Sequence, residues 1–130
     1  MTNAAFFGVP VWIDRVYGPQ EKKDLNERCQ FIRPVIDLDN FDSHLESLRD
    51  VEVIFSTWGM PQLEQHHLDR MPALQAVFFA AGSVKHFAEP LMDKNILIVS
   101  AQKANANFTA EFASAQILLS MKGCFRNQRE

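Results

Sequence analysis

Four stretches of the sequence carry residues whose types and spacing suit them to chemistry. The first is Ala80-Ala81-Gly82-Ser83-Val84, where small side chains let a ligand reach the backbone. Consecutive N–H groups in such a turn form a cradle for an anion, a carboxylate or a phosphate. Gly82 would keep side-chain bulk out of that approach, although an ordinary turn uses the same residue types. The second stretch is Thr57-Trp58-Gly59-Met60-Pro61: Gly59 permits a tight turn, Pro61 opens a helix, and Trp58 either walls a pocket or caps the core. The third, Asn105-Ala106-Asn107, stands before a long apolar segment, and either asparagine suits a helix N-cap. Histidines make the fourth. His66 and His67 are adjacent, so on a helix they diverge by about 100° and cannot chelate as an i, i+4 pair would. We expect them to be surface and half-buried residues. His86, just beyond the small-residue turn, and His44 are expected to be solvated.

What is missing narrows the chemistry further. The glycines are Gly8, Gly18, Gly59, Gly82 and Gly123, so neither a GxGxxG turn nor a phosphate-binding P-loop can be written. A phospho-receiver domain needs an acid pair after its first strand and an aspartate after its third; here the third strand ends Ser56-Thr57-Trp58. No Ser-His-Asp or Cys-His set falls in plausible loops. Cys29 and Cys124 lack CxxC spacing, which argues against a metal knuckle or a disulfide framework, and we read them as reduced thiols. No metal site is expected. A net charge of −3 with 22% charged residues removes the basic surface that nucleic acid would require. The opening MTNAAFFGVPVW has no basic lead and is broken by Pro10, unlike a signal peptide. No apolar run approaches the ~20 residues of a membrane span. A cytoplasmic protein is the expectation.

These residues must be positioned by elements, and the pattern along the chain alternates. Ala4 to Trp12 reads as a strand and Pro19 to Cys29 as a helix with proline in its first turn. Phe31 to Asp37 reads as a weaker strand, placed at an edge by Pro34. Asn40 or Asp42 opens a helix with Leu45 and Leu48 inward. Val51 to Trp58 is a strong strand, and Leu63, His67, Leu68 and Met71 follow at helical spacing. Leu74 to Ala81 and Ile96 to Ala101 are nearly all apolar, as in strands buried on both faces, with a short helix around Pro90 between them. A closing helix starts near Asn105. Five strands alternating with helices through short connections predict a flavodoxin-like α/β domain. Its parallel sheet is expected in the order 2-1-3-4-5.

Four pieces then fall in order with consistent gaps: Pro72-Ala73-Leu74-Gln75, Ala80-Ala81-Gly82-Ser83-Val84, Lys94-Asn95-Ile96, and Asn105-Ala106-Asn107-Phe108-Thr109-Ala110-Glu111. Together they resemble the N-terminal part of the D-isomer-specific 2-hydroxyacid dehydrogenases, over about residues 50 to 125. The first fifty residues suit that family's opening elements without a diagnostic motif. Three positions depart from its pattern. Ala80 stands for the first glycine of the turn and Val84 for its aspartate. Asn95 stands for a glycine and can still take a left-handed conformation. Trp58-Gly59-Met60-Pro61 and the altered turn point to an outlying branch.

The resemblance implies roles. The backbone at Ala81 and Gly82 would bind the substrate carboxylate, and Trp58 would line the substrate pocket. Asn105 and Ala106 would approach the nicotinamide side of the cofactor, and Glu111 would be structural. The family's catalytic Arg, Glu and His lie in a later segment, so no catalytic residue is expected in this chain. The chain would be a truncation: residues 1–104 a substrate-binding domain, 105–130 an interdomain and dimerisation helix, and the Rossmann NAD-binding domain absent. The parent would interconvert 2-oxo acids and D-2-hydroxy acids using NAD or NADP. This fragment would bind no cofactor and would be inactive. Phe108, Phe112, Ile117, Leu118, Leu119, Met121 and Phe125 point in too many directions for one packing face. Their cover would be the missing Rossmann domain and a partner subunit in a homodimer. The contrasting reading is a non-catalytic flavodoxin-like interaction module that dimerises through its closing helix.

Overall fold

A computed structural model describes residues 1–127 of the 130-residue chain. The expected architecture is present: five parallel strands in the order β2-β1-β3-β4-β5, with helices in the crossovers. β1 spans Thr2–Phe7, followed by α1, Pro10–Val16, and α2, Pro19–Asn26. β2 is the edge strand Cys29–Phe31. A single 3-10 turn, Asp42–His44, leads into α3, Leu45–Leu48. β3 is Val53–Ser56, α4 Gln65–Leu68, β4 Ala76–Phe79 and α5 Ala88–Asp93. β5, Leu97–Ser100, gives way after one residue to α6, Gln102–Met121, and then α7, Cys124–Asn127.

Several boundaries differ from the sequence pattern, each for a local reason. The first strand stops at Phe7 because Gly8 takes a φ of +134° and Pro10 occupies the first position of α1. Trp12 is therefore helical. The second strand ends at Phe31, and beyond it only Ile36 bridges back, to Phe7. The helix expected around Leu63 to Met71 shortens to one turn. Glu64 caps that turn, and its own N–H donates to the His67 Nδ1 at 3.1 Å. His44 is half-buried rather than solvated, its ring Nδ1 3.0 Å from the Asn40 carbonyl. Asn95 has a φ of +57°, the left-handed conformation its asparagine allows.

The core lies on one face of the sheet. Ala5, Phe7, Ile54, Val77 and Phe79 point into it, and Leu48, Leu63, Leu68, Phe87 and Leu91 pack over them. Alternation sends Phe6, Phe55, Phe78 and Val99 to the opposite face, where the register places them side by side across four strands. Phe31 extends this row by stacking on Phe6 at 4.5 Å, and Phe55 stacks on Phe78 at 5.3 Å. α1 shields the β1 end through Ile13 and Tyr17, both buried. The β4–β5 end is open: Phe78 is 37% exposed, Leu97 59% and Val99 41%. The expectation that β4 and β5 are buried on both faces is therefore corrected. β5 is an edge strand, and α6 does not fold back over it.

α6 begins at Gln102 rather than Asn105, with Ala101 at its N-cap and no side-chain cap. Asn105 and Asn107 sit inside the first turns, so neither caps the helix. Thr109 and Ser114 donate their hydroxyls to the carbonyls four residues back, hiding polar groups against the helix itself. Gly123, at a φ of +73°, ends the helix in the left-handed conformation that suits a C-terminal stop. No residue of α6 is buried. The last three residues expected in this element, 128–130, lie outside the described residues. Among the described residues, no helix is long and apolar enough to cross a membrane.

Candidate functional site

The loops at the carboxyl ends of β1, β3, β4 and β5 are joined by hydroxyl groups. Ser56, fully buried at the end of β3, donates to the Phe7 carbonyl at 2.6 Å. Its own carbonyl accepts the Tyr17 phenol at 2.9 Å. Burial pushes the Tyr17 pKa well above its ordinary value, so the phenol remains a donor at any physiological pH. Thr57, also fully buried, donates to the Ala80 carbonyl at 3.2 Å, and Ser100 donates to the Gly82 carbonyl at 3.1 Å. Three neighbouring strand ends are thus pinned to one another, and the turn after β4 is held to β5.

That pinning presents the turn after β4. The Ala80 N–H is used by the Ser56 carbonyl, at 2.8 Å. The next three N–H groups, of Ala81, Gly82 and Ser83, donate to no protein acceptor among the described residues. Ala81 is buried, Gly82 half-buried and Ser83 exposed, so the run of donors leads from the sheet end out to solvent. Consecutive unpaired amides can hold an anion, and here the Ala80 and Gly82 carbonyls are already bonded by Thr57 and Ser100. Space at Gly82 is limited by Asn105: a Cβ there would stand 3.3 Å from the Asn105 Nδ2. Asn105 therefore reaches the turn from the second turn of α6. Ala106, its neighbour, is exposed.

Trp58 lies on the adjoining loop, 51% exposed. It meets Trp12 edge to face at 5.9 Å, and the Arg15 guanidinium lies 5.2 Å over the Trp12 ring. Gly8 and Gly59 bring the two loops together. A Cβ on Gly8 would lie 3.5 Å from the Gly59 carbonyl oxygen, and one on Gly59 would stand only 2.8 Å from the Val9 Cγ2. The indole pair thus stands between β1 and β3, where the strand order reverses and open α/β sheets bind ligands.

The sequence pointed to Ala81, Gly82, Trp58, Asn105 and Ala106. The structure places Ala81, Gly82 and Asn105 together, sets Ala106 beside them on α6, and puts Trp58 on the next loop. Trp12 was missed because it was read as the end of a strand; the Gly8-Val9-Pro10 spacing was the available signal. Ser56, Thr57 and Ser100 were missed because a hydroxyl at a strand end does not reveal its partner. The histidines stay apart from the site: His66 is exposed, His67 half-buried, and the exposed His86 packs against Phe79 and Phe87. Among the described residues no metal-ligating cluster forms. A dinucleotide finds no pyrophosphate cradle after β1, since Gly8-Val9-Pro10 leads directly into a helix that starts with proline.

Solved structures with the same architecture exist. A D-lactate dehydrogenase from Aquifex aeolicus, complexed with NAD and lactic acid, matches 98% of this chain with a TM-score of 0.60 and 19% identity. An acyclic imino acid reductase, in complex with NADPH and D-Arg, matches 98% with a TM-score of 0.56 and 13% identity. The likeness is one of fold. This chain spans 36% of the dehydrogenase and 41% of the reductase. No protein-family model and no curated protein sequence matches it.

Proposed function

We propose that this chain is the substrate-binding portion of an NAD(P)-dependent oxidoreductase that interconverts 2-oxo acids and D-2-hydroxy acids. The observation that carries the reading is the run of three backbone N–H groups at Ala81, Gly82 and Ser83, unpaired among the described residues, at a strand end and approached by Asn105. Such donors suit a carboxylate, the group common to both members of the reaction pair. Trp58 supplies an apolar wall for the substrate side chain. Asn105 and Ala106 face the space where a nicotinamide presented by a neighbouring domain would approach. That domain supplies the hydride chemistry. This chain contributes binding and orientation, and no catalytic residue is assigned to it.

α6 supports the same reading. Phe108, Phe112, Ile117, Leu118 and Met121 are 60% exposed or more, on a helix that buries nothing. A helix apolar around most of its circumference belongs between packed bodies. A cofactor domain on one side and a partner subunit on the other account for two faces. The same exposure also suits a second reading, an interaction module that dimerises through α6 and catalyses nothing.

Titrating the isotope-labelled chain with pyruvate separates the two. The substrate-domain reading expects saturable amide shifts centred on Ala81, Gly82 and Ser83, reproduced by D-lactate and absent with neutral pyruvamide. Shifts confined to other residues, or equal shifts with pyruvamide, would remove the carboxylate assignment and leave the module.

A further inference from the structure

A second recess lies at the opposite edge of the sheet from β5, between α1, α2 and the segment that follows β2. It encloses a cavity of about 610 Å3, a size at which small-molecule pockets are found. Its floor is the stacked pair Phe6 and Phe31, nearly parallel at 14° and only half-buried. Ile32 forms part of one wall. Three charged side chains ring the opening: Asp14, Lys22 and Arg33. Asp14 and Lys22 form an ion pair with each other. Arg33 is exposed and makes no ion pair among the described residues. The rim therefore carries one positive charge more than its carboxylate balances.

We infer that this cavity is a second ligand site, for an amphiphilic anion with a ring-sized apolar body and a single carboxylate. The aromatic floor leaves apolar surface open to water that such a body would cover. The Arg33 guanidinium presents parallel donors that match a carboxylate. Lys22 keeps further donor capacity while its ammonium is held by Asp14. The site shares no residue with the turn after β4 and does not depend on the function proposed above.

The test is a titration of the isotope-labelled chain with naphthalene carboxylate, with neutral naphthalenemethanol as the control. The expected result is saturable shifts at Phe31, Ile32 and Arg33, with the carboxylate binding more tightly than the alcohol. Arg33→Gln should weaken carboxylate binding about tenfold, as for loss of a charged hydrogen bond. It should leave the pyruvate response of Gly82 unchanged. Shifts centred on α6 or on Leu97 and Val99 would overturn the assignment. So would equal affinity for the alcohol, an unaltered affinity in Arg33→Gln, or no saturable binding. A failed pyruvate response with an intact naphthalene carboxylate response would count against the oxidoreductase reading alone.

Discussion

Gly82 has a close neighbour: a Cβ there would stand 3.3 Å from the Asn105 Nδ2, so a side chain would crowd that amide. Gly82→Val should abolish the pyruvate-induced shifts at Ala81 and Ser83 while the chain remains folded by circular dichroism; retained shifts would show that the anion does not use this turn. Ser56→Ala tests the clamp behind it. The Phe7 carbonyl would lose its buried hydroxyl partner, and urea unfolding should register a loss of about 1–3 kcal/mol. His67 sets a pH dependence. Burial lowers its pKa below the ordinary 6.5, with the charge of the adjacent His66 adding to the effect. The folded state therefore binds fewer protons than the unfolded chain. Its contribution is fully present above pH 6.5 and is lost as pH falls through the lowered folded value. Unfolding measured against pH should show this decline in the native chain and a flatter profile in His67→Gln. At this scale the sequence singled out Gly82, Ala81 and Asn105 by their small or amide side chains at strand ends, and the fold brings Asn105 to Gly82. Trp12 and the three hydroxyl clamps were not, because their partners lie tens of residues away in sequence.

At the scale of elements, the strand order was readable from alternation and connection length, but the covering of the strands was not. An apolar run such as Leu97-Ile98-Val99 reads as buried on both sides, whereas the fold covers only the face toward Ile98. Sequence periodicity reports which surfaces are apolar and is silent on what covers them. The same holds for α6, whose length was well placed while its start moved from Asn105 to Gln102 for want of a capping side chain. Because Phe112 is 67% exposed, Phe112→Glu should change unfolding free energy by no more than about 0.5 kcal/mol. Its effect should fall on self-association instead. A variant that associates as readily as the native chain would move the contact off α6, with the open β4–β5 face as the alternative. Leu97→Lys addresses that face in the same assay.

For the whole molecule, the two uncovered surfaces belong together. The β4–β5 end of one sheet face and most of the circumference of α6 are apolar and in water, although the rest of the chain packs a continuous core. The exposed side chains of α6 alone present apolar surface on the order of the ~800 Å2 per partner that a stable interface buries. The proposed role as one portion of an oxidoreductase accounts for this with a cofactor domain and a second subunit. It also predicts that NAD and NADPH bind this chain no more tightly than millimolar; a micromolar dissociation constant by calorimetry would contradict it. The most direct test of the central claim, that α6 is built to be buried by other polypeptide, is sedimentation equilibrium from micromolar to near-millimolar concentration. The account predicts a mass that rises above the 14.9 kDa of the single chain as concentration increases. A mass that stays at the monomer value throughout, with α6 still helical, would contradict it.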